Sequence, residues 1–229
     1  MLSIDIARTW YSTTDPVHGF DHVLRVYHLA EYIARVEGAD LEIVRAAVLL
    51  HDVEVDRQLP AADRKTSRDG QPDRTNHHLS SADFARQILK EDGWEDLRIR
   101  AVVHCIRAHR FRDNSESPQS LEAKILFDAD KLDAIGAIGV MRAIAYAITH
   151  GQPAYADPSE CFVQSGQLEP GEPHSSYHEF IYKLRCLKDC MYTQVARAIA
   201  EERHQLMEEY YLHLKSEWVS SLAKPRISD

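Results

Sequence analysis

An adjacent histidine and aspartate, His51 and Asp52, close an apolar run and carry the clearest chemical signal in the sequence. His51 continues the helical spacing of Val44 and Val48, so its imidazole is predicted to point inward. Asp52 follows one position later, and burial of its carboxylate is costly unless a positive group pairs with it. A divalent metal would satisfy both side chains. The alternative is a core histidine beside an ordinary charge at a helix end.

Two further inward-facing side chains favour the metal-site interpretation. His22 lies on a helical stripe with Val26 and Ile33, and Asp130 follows Leu126 by four residues on another apolar helix face. Together with the His-Asp pair they offer nitrogen and oxygen ligands, which suit Mn, Fe, Co, Ni or Zn and leave room for water or substrate. The predicted metal ligands are His22, His51, Asp52 and Asp130.

These residues and the segments around them resemble the HD-domain metal-dependent phosphohydrolases, closest to the small stand-alone bacterial members. The segments that carry the resemblance include HGFDHVLRV, AAVLLHDVEVD, HHLSSADFARQIL, DADKLDAIGAIGVMRA and YHEFIYKL. The resemblance implies an all-α fold with one divalent metal per chain in its core, and we favour Mn over Co, Ni, Fe, Mg and Zn. It also implies hydrolysis of small phosphate esters or anhydrides by a metal-activated water, similar to nucleoside triphosphate pyrophosphohydrolases.

Length and composition fit one globular domain that spans residues 1–229. The chain of 229 residues is 44% hydrophobic, enough to bury a core. It contains no apolar run of about 20 residues and no charged-then-apolar N-terminal segment, so we expect a cytoplasmic protein without a membrane partner. The net charge of −9 opposes binding to duplex nucleic acid. The expected partner is a small phosphorylated compound such as a nucleotide, and a homodimer is left open.

Hydrophobic periodicity predicts a helical bundle, because no segment shows the alternation that strands require. Two charged or proline-rich segments, 59–76 and 151–176, are predicted to be long loops that either cover the metal pocket or are surface excursions. The C-terminal helices, about 177–222, are predicted to pack on the core. The predicted helices lie near 3–13, 20–37, 40–53, 78–92, 95–109, 119–131, 133–149, 177–200 and 202–222.

Several residues near the predicted ligands are candidates for proton transfer. Glu54 and Asp56 follow the His-Asp pair within one turn, and each is interpreted either as a proton acceptor or as a solvated carboxylate. His109 faces inward, at helical spacing from Ile106. His78 is favoured over its neighbour by one apolar stripe, although a second stripe favours His77. We place His109 and His78 near the substrate, where they orient phosphate or protonate a leaving oxygen; binding of a second metal is the alternative.

Four cations are predicted to contact phosphate or, alternatively, to form structural ion pairs: Arg25, Lys131, Arg142 and Lys183. Asp133 either begins a helix or accepts a hydrogen bond from a ligating histidine, as metal sites usually require. Two other functions stay open at this point. One is a di-iron HD oxygenase, and the other is a non-catalytic helical module that the metal stabilises.

Overall fold

The computed structural model describes residues 2–11, 15, 17, 19–53, 55, 77–110 and 116–222, and all regular structure among them is helical. This confirms the predicted all-α class. None of the described helices is by itself long and apolar enough to cross a membrane, although Leu121–Leu132 and Gly136–Thr149 reach that length and composition together as a bent pair. The helices are α1 (Ile4–Arg8), α2 (Phe20–Glu37), α3 (Leu41–Leu50), α4 (His77–Glu91), α5 (Asp96–Ala108), α6 (Leu121–Leu132), α7 (Gly136–Thr149), α8 (Glu160–Ser165), α9 (Ser176–Tyr182), a 3-10 helix (Leu184–Cys190) and α10 (Gln194–Leu222).

The described residues fall into two compact units. The first lies within residues 1–133 and 191–197, and the second lies within 134–190 and 198–229. Helices α1 to α6 therefore belong to the first unit, together with the first turn of α10. The second unit contains α7, α8, α9, the 3-10 helix and the rest of α10. The prediction that residues 1–229 form one domain, with the C-terminal helices packed on the core, stays a prediction.

Helix α3 is the centre of the first unit. Its sequence is apolar on nearly every side, so it is stable only when other helices surround it. Accordingly it contacts α1, α2, α4, α5 and α6. The helix begins after Asp40, whose carboxylate accepts hydrogen bonds from the amides of Glu42 and Ile43 at 3.0 and 3.2 Å. It ends directly before His51 and Asp52, and both side chains are buried in the core.

The neighbours of α3 present the other predicted side chains to the same core. Helix α2 buries Val26 and Ile33 on the stripe that also carries His22, and it contacts both α3 and α6. Helix α6 begins after Ser120, whose hydroxyl accepts a hydrogen bond from the Ala123 amide at 3.1 Å. Asp130 is half-buried in the last turn of α6 and lies next to His22 at the start of α2. The amphipathic spacing read from the sequence therefore places these side chains correctly.

A buried carboxylate ties the segment 191–197 to the first unit. Asp128 on α6 is fully buried and accepts hydrogen bonds from the amides of Tyr192 and Thr193, both at 2.8 Å, and from the Thr193 hydroxyl at 2.7 Å. Burial raises the pKa of Asp128, while these three donors act in the opposite direction. Thr193 in turn accepts a hydrogen bond from the Ala196 amide, which helps to begin α10.

We expect Asp128→Ala to lower the free energy of unfolding by about 2 to 4 kcal/mol, because three donors, two of them buried, would lose their acceptor. Urea unfolding followed by far-ultraviolet circular dichroism measures this change. Asp83→Ala is the matched control, since Asp83 is an exposed aspartate of α4, and its effect should stay within about 0.5 kcal/mol. Equal effects of the two substitutions would contradict the role given to Asp128.

The segment 151–176, predicted to be a long loop, contains the short helix α8 and a hydrogen-bonded cluster around one carboxylate. Glu172 accepts hydrogen bonds from the Ser159 amide at 2.6 Å, the Ser159 hydroxyl at 2.8 Å and the Glu169 amide at 2.8 Å. The ring of His178 on α9 lies 3.1 Å from the same carboxylate. The cluster consists of hydrogen bonds between polar groups of a segment without a helical hydrophobic pattern, and for that reason periodicity did not reveal it.

Two predicted boundaries near the C-terminus are wrong. The predicted helix 177–200 is replaced by α9, the 3-10 helix and the start of α10, and the predicted break near residue 201 is absent. Lys183 leaves helical geometry at the end of α9, while no glycine or proline interrupts the chain from 194 to 222. Within the second unit, Tyr211 of α10 stacks on Phe180 of α9 with ring centroids 4.6 Å apart. The predicted helix 3–13 is also shorter, since α1 ends at Arg8.

We expect the Glu172 cluster to open in acid. Its hydrogen bonds lower the pKa of Glu172 from 4.5 to about 2. A lowered pKa in the folded state means that the stabilisation is complete above about pH 4.5 and is lost as the pH falls towards 2. Hydrogen exchange of the Ser159 and Glu169 amides, corrected for intrinsic rates, should therefore accelerate across this range. Glu172→Gln should show fast exchange already at pH 7.

Glu160→Gln is the control for this experiment, because Glu160 is an exposed residue of the adjacent helix α8 and takes no part in the cluster. Its amide exchange should match that of the unchanged protein at each pH. Slow exchange in Glu172→Gln at pH 7 would contradict the proposed role of the carboxylate.

Candidate metal centre

Four helix ends of the first unit bring five side chains together. His22 comes from the first turn of α2, and Asp130 comes from the last turn of α6. His51 and Asp52 follow the end of α3, while His109 follows the end of α5. The inward orientation predicted for the three histidines is confirmed, because each residue is at most 3% exposed.

The first group of possible ligands consists of His22, His51 and Asp130. Their ligand atoms all lie within 4.8 Å of one another. His22 Nε2 is 3.3 Å from Asp130 Oδ1, and His51 Nε2 is 4.0 Å from the same oxygen. Metal ligands bonded at about 2.1 Å lie roughly 3 to 4 Å apart, so these separations are compatible with one shared cation.

The second group consists of His51, Asp52 and His109, whose ligand atoms also lie within 4.8 Å of one another. Asp52 Oδ1 is 3.7 Å from His109 Nε2, and the rings of His51 and His109 have centroids 5.1 Å apart. His51 belongs to both groups and therefore stands at the centre of the arrangement. The four predicted ligands thus lie around His51, with His109 added beside Asp52.

Two of the histidines are fixed in one tautomer by the backbone. His51 Nδ1 lies 2.8 Å from the Val48 carbonyl, and His109 Nδ1 lies 2.5 Å from the Ile106 carbonyl. Because a carbonyl oxygen can only accept, each Nδ1 donates, and each Nε2 carries a lone pair. Burial lowers the pKa of both rings, that of His109 to about 3, so both are neutral near pH 7.

Asp130 supplies negative charge beside these neutral rings. Burial opposes its ionisation, but Lys131 and His22 outweigh that effect and hold the pKa of the carboxyl well below its usual range. Lys131 Nζ lies 2.5 Å from Asp130 Oδ2, while the other oxygen faces His22. Neutral imidazole nitrogens facing charged carboxylates form a donor set that can hold a divalent cation.

His77 is a site residue that the sequence did not select. Its Nε2 lies 3.1 Å from Asp52 Oδ1, and its ring centroid is 5.6 Å from that of His109. The favoured residue, His78, is instead buried, with Nδ1 3.5 Å from an Arg110 guanidinium nitrogen. The stripe that selected His78 identified a core position of α4. The competing stripe through Phe84 and Ile88 was the signal for His77.

The predicted cations have different surroundings. Lys131 belongs to the site through Asp130, whereas Arg25 binds Asp133, next to His22. Arg142 and Lys183 belong to the second unit, where Arg142 is buried on α7 and Lys183 Nζ lies 3.0 Å from Glu179. The predicted proton acceptors, Glu54 and Asp56, lie outside the described residues.

A family model for the HD domain matches residues 19–135. The chain belongs to the HD domain family. The match begins just before α2 and ends just after α6, so it contains the five side chains of the site and His77, while Arg142 and Lys183 lie beyond it. The resemblance predicted from the sequence is therefore confirmed. The YpgQ protein of Bacillus subtilis is 36% identical over 217 residues, which cover 92% of this chain and 91% of that protein.

Solved structures agree with this membership. The crystal structure of Bacillus subtilis YpgQ in complex with ADP has a TM-score of 0.67 at 33% identity and covers 94% of this chain and 97% of that one. A Lactobacillus plantarum structure has a TM-score of 0.71 at 28% identity and covers 95% of each chain. An HD-superfamily hydrolase from Bacillus thuringiensis has a TM-score of 0.63 at 27% identity and covers 94% of this chain and 96% of that one.

Proposed function

We propose that the protein is a metal-dependent phosphohydrolase that cleaves small phosphate esters or anhydrides, with nucleotides as its substrates. The observation that carries the proposal is the convergence of His22, His51 and Asp130, whose ligand atoms lie within 4.8 Å of one another. Membership of the HD family supports hydrolytic chemistry. The structure of Bacillus subtilis YpgQ with ADP supports a nucleotide as the ligand.

One divalent metal, for which Mn is favoured, would be held by His22, His51, Asp52 and Asp130. The two carboxylates would balance its charge and supply oxygen ligands. The two imidazoles would supply nitrogen ligands, which such ions also accept. His51 supports this fit, because its buried Nε2 has no hydrogen-bond partner among the described residues. A bound divalent ion would supply a Lewis acid for phosphoryl oxygens and an activated water at neutral pH.

The protein's own groups beside Asp52 are suited to hold the water and the phosphate. His109 presents an Nε2 acceptor next to this carboxylate, where it can accept a hydrogen bond from the attacking water. His77 is more exposed than His109 and faces the same carboxylate, so we assign it a phosphate contact. Glu54 and Asp56 are our proposed proton acceptors.

The phosphate chain requires cations. Lys131 is the best placed, because its ammonium already lies against Asp130 at the site. We also assign phosphate contacts to Arg142 and Lys183, which match basic positions in the segments that resemble the family. His78 remains a proposed substrate contact. With a net charge of −9, the chain offers no basic track for a long nucleic acid, which favours a small substrate.

A second candidate function, the di-iron HD oxygenase, is favoured by one observation. His51, Asp52 and His109 form a second group of possible ligands that shares His51 with the first. Metal analysis of the purified protein separates the two functions. One divalent ion per chain with phosphate release supports the hydrolase, whereas two irons per chain without phosphate release support the oxygenase.

We expect Asp130→Asn to weaken binding of Mn²⁺ by more than about 100-fold, beyond what loss of an outer hydrogen-bond partner causes. Asp52→Ala should have a similar effect, because each substitution removes a charged ligand. Titration calorimetry measures the affinity. Thermal melting should show the same loss, since a metal at about 100 times its dissociation constant stabilises the native state by about 2.7 kcal/mol.

Asp83→Asn is the control for metal binding, because it removes an exposed carboxylate from α4 of the same unit. It should bind Mn²⁺ as the unchanged protein does, and chelator should lower its melting temperature equally. Full metal occupancy and full activity in Asp52→Ala would show that the site is assigned wrongly.

We expect the loaded protein to release phosphate or pyrophosphate from nucleoside di- or triphosphates. Lys131→Ala, Arg142→Ala and Lys183→Ala should each raise the Michaelis constant for a nucleotide more than that for a small phosphate monoester, because fewer cations would meet the phosphate chain. Separate assays of phosphate and pyrophosphate identify the bond that is cleaved.

Lys90→Ala is the control for these lysine and arginine variants, since Lys90 is an exposed cation of α4. It should leave both Michaelis constants unchanged. Metal content should be measured for every variant, so that lost substrate affinity is distinguished from lost metal. Activity restricted to long nucleic acids, or equal kinetics for both substrates in all variants, would contradict the assignment.

A further inference from the structure

His22 is held from the side opposite Asp130 by a buried carboxylate. His22 Nδ1 lies 2.8 Å from Asp133 Oδ2, while His22 Nε2 faces Asp130 at 3.3 Å. Asp133 also binds the fork of Arg25, with Arg25 Nε 2.7 Å from Oδ1 and Arg25 Nη2 3.0 Å from Oδ2. The hydrogen bond from a histidine to Asp133, one of two roles predicted from the sequence, is therefore present.

The chemistry of these partners determines where the His22 proton lies. A guanidinium group can only donate, and its two hydrogen bonds to Asp133 keep that carboxylate ionised. The same hydrogen bonds raise the pKa of Arg25, although burial opposes the shift. An ionised Asp133 can only accept, so His22 must donate from Nδ1. Nε2 is then the nitrogen that a metal beside Asp130 would bind.

We infer that Arg25 and Asp133 are positioning residues that hold His22 in the tautomer able to bind a metal. The inference rests on the proposed metal site, which needs an unprotonated Nε2 on His22. His51 and His109 are held in the same tautomer by backbone carbonyls, which no side-chain substitution removes. Of these three rings, His22 is the one whose Nδ1 contacts a side chain, that of Asp133, so its tautomer can be changed by substitution.

This inference gives Arg25 a different role from a phosphate contact. Both guanidinium nitrogens named above form hydrogen bonds with Asp133, and the same carboxylate lies 2.8 Å from His22 Nδ1. Arg25 therefore acts on the metal site through Asp133. A change at Arg25 should alter metal binding and the His22 tautomer, and should leave the Michaelis constant for nucleotide unchanged at saturating metal.

The most direct test is the tautomer of His22 in Asp133→Asn without metal. The amide nitrogen of asparagine can donate to Nδ1, which favours the tautomer with the proton on Nε2. Long-range ¹⁵N–¹H spectra, with the His22 signals assigned by loss in His22→Gln, report which nitrogen is protonated. We expect Nδ1–H in the unchanged protein and a shift to Nε2–H in Asp133→Asn.

Metal affinity gives a second measurement. Asp133→Asn should weaken Co²⁺ or Mn²⁺ binding by about 10- to 100-fold, the range for partners that orient a ligating histidine. The visible absorption of bound Co²⁺ should lose intensity or shift as the histidine ligand is lost. Arg25→Gln should weaken metal binding less than Asp133→Asn does. Arg25→Lys should weaken it less than Arg25→Gln, because lysine keeps the positive charge but cannot form the two guanidinium hydrogen bonds.

Asp83→Asn is the matched control, since Asp83 is also paired with an arginine, Arg86, but on the surface of α4. It should change neither the His22 tautomer nor the metal affinity. If Asp133→Asn does not fold, the His22 tautomer and the metal affinity are measured in Arg25→Gln instead, where a smaller change in both is expected. Retention of Nδ1–H and of full metal affinity in the folded variant would overturn the inference. A tautomer shift in a protein that binds no metal would support the inference and contradict the proposed function.

Discussion

The structure of the site depends on one constraint, which is the cost of burying carboxylates among neutral imidazoles. Asp52 is buried in the core of the first unit and Asp130 is half-buried beside it, and an ionised group in such a place is strongly destabilising without a positive partner. Lys131 covers one oxygen of Asp130, but the other oxygen faces the Nε2 atoms of His22 and His51. A divalent cation is the partner that such a donor set accepts, and its binding would couple the helices that carry the ligands.

The sequence predicted the part of the site that depends on local periodicity. His22, His51 and His109 continue apolar stripes of their own helices, so a helical period of 3.6 residues was enough to turn them inward. His77 was not selected, because the start of α4 carries two overlapping stripes, and the one through Ala82, Ala85 and Leu89 favours the buried His78. Which residue of such a pair meets the site depends on the packing of α4 against its neighbours.

Two hydrogen-bonded carboxylates could not be predicted from hydrophobic periodicity. Glu172 binds Ser159 and Glu169 through hydrogen bonds that no periodic pattern encodes, so the segment 151–176 was interpreted only as a long loop. Asp128 was passed over because its partners, Tyr192 and Thr193, lie more than sixty residues away. The all-α class and the HD family, by contrast, rest on motifs and spacing, and both are confirmed.

The central claim is that one divalent metal binds among His22, His51, Asp52 and Asp130. Anomalous diffraction at the manganese edge, from crystals of the protein grown with Mn²⁺, tests it most directly. We expect one strong peak per chain within bonding distance of His51 Nε2 and of the carboxylates of Asp52 and Asp130. No peak among these residues at full Mn²⁺ saturation, or a single peak elsewhere in the chain, would contradict it.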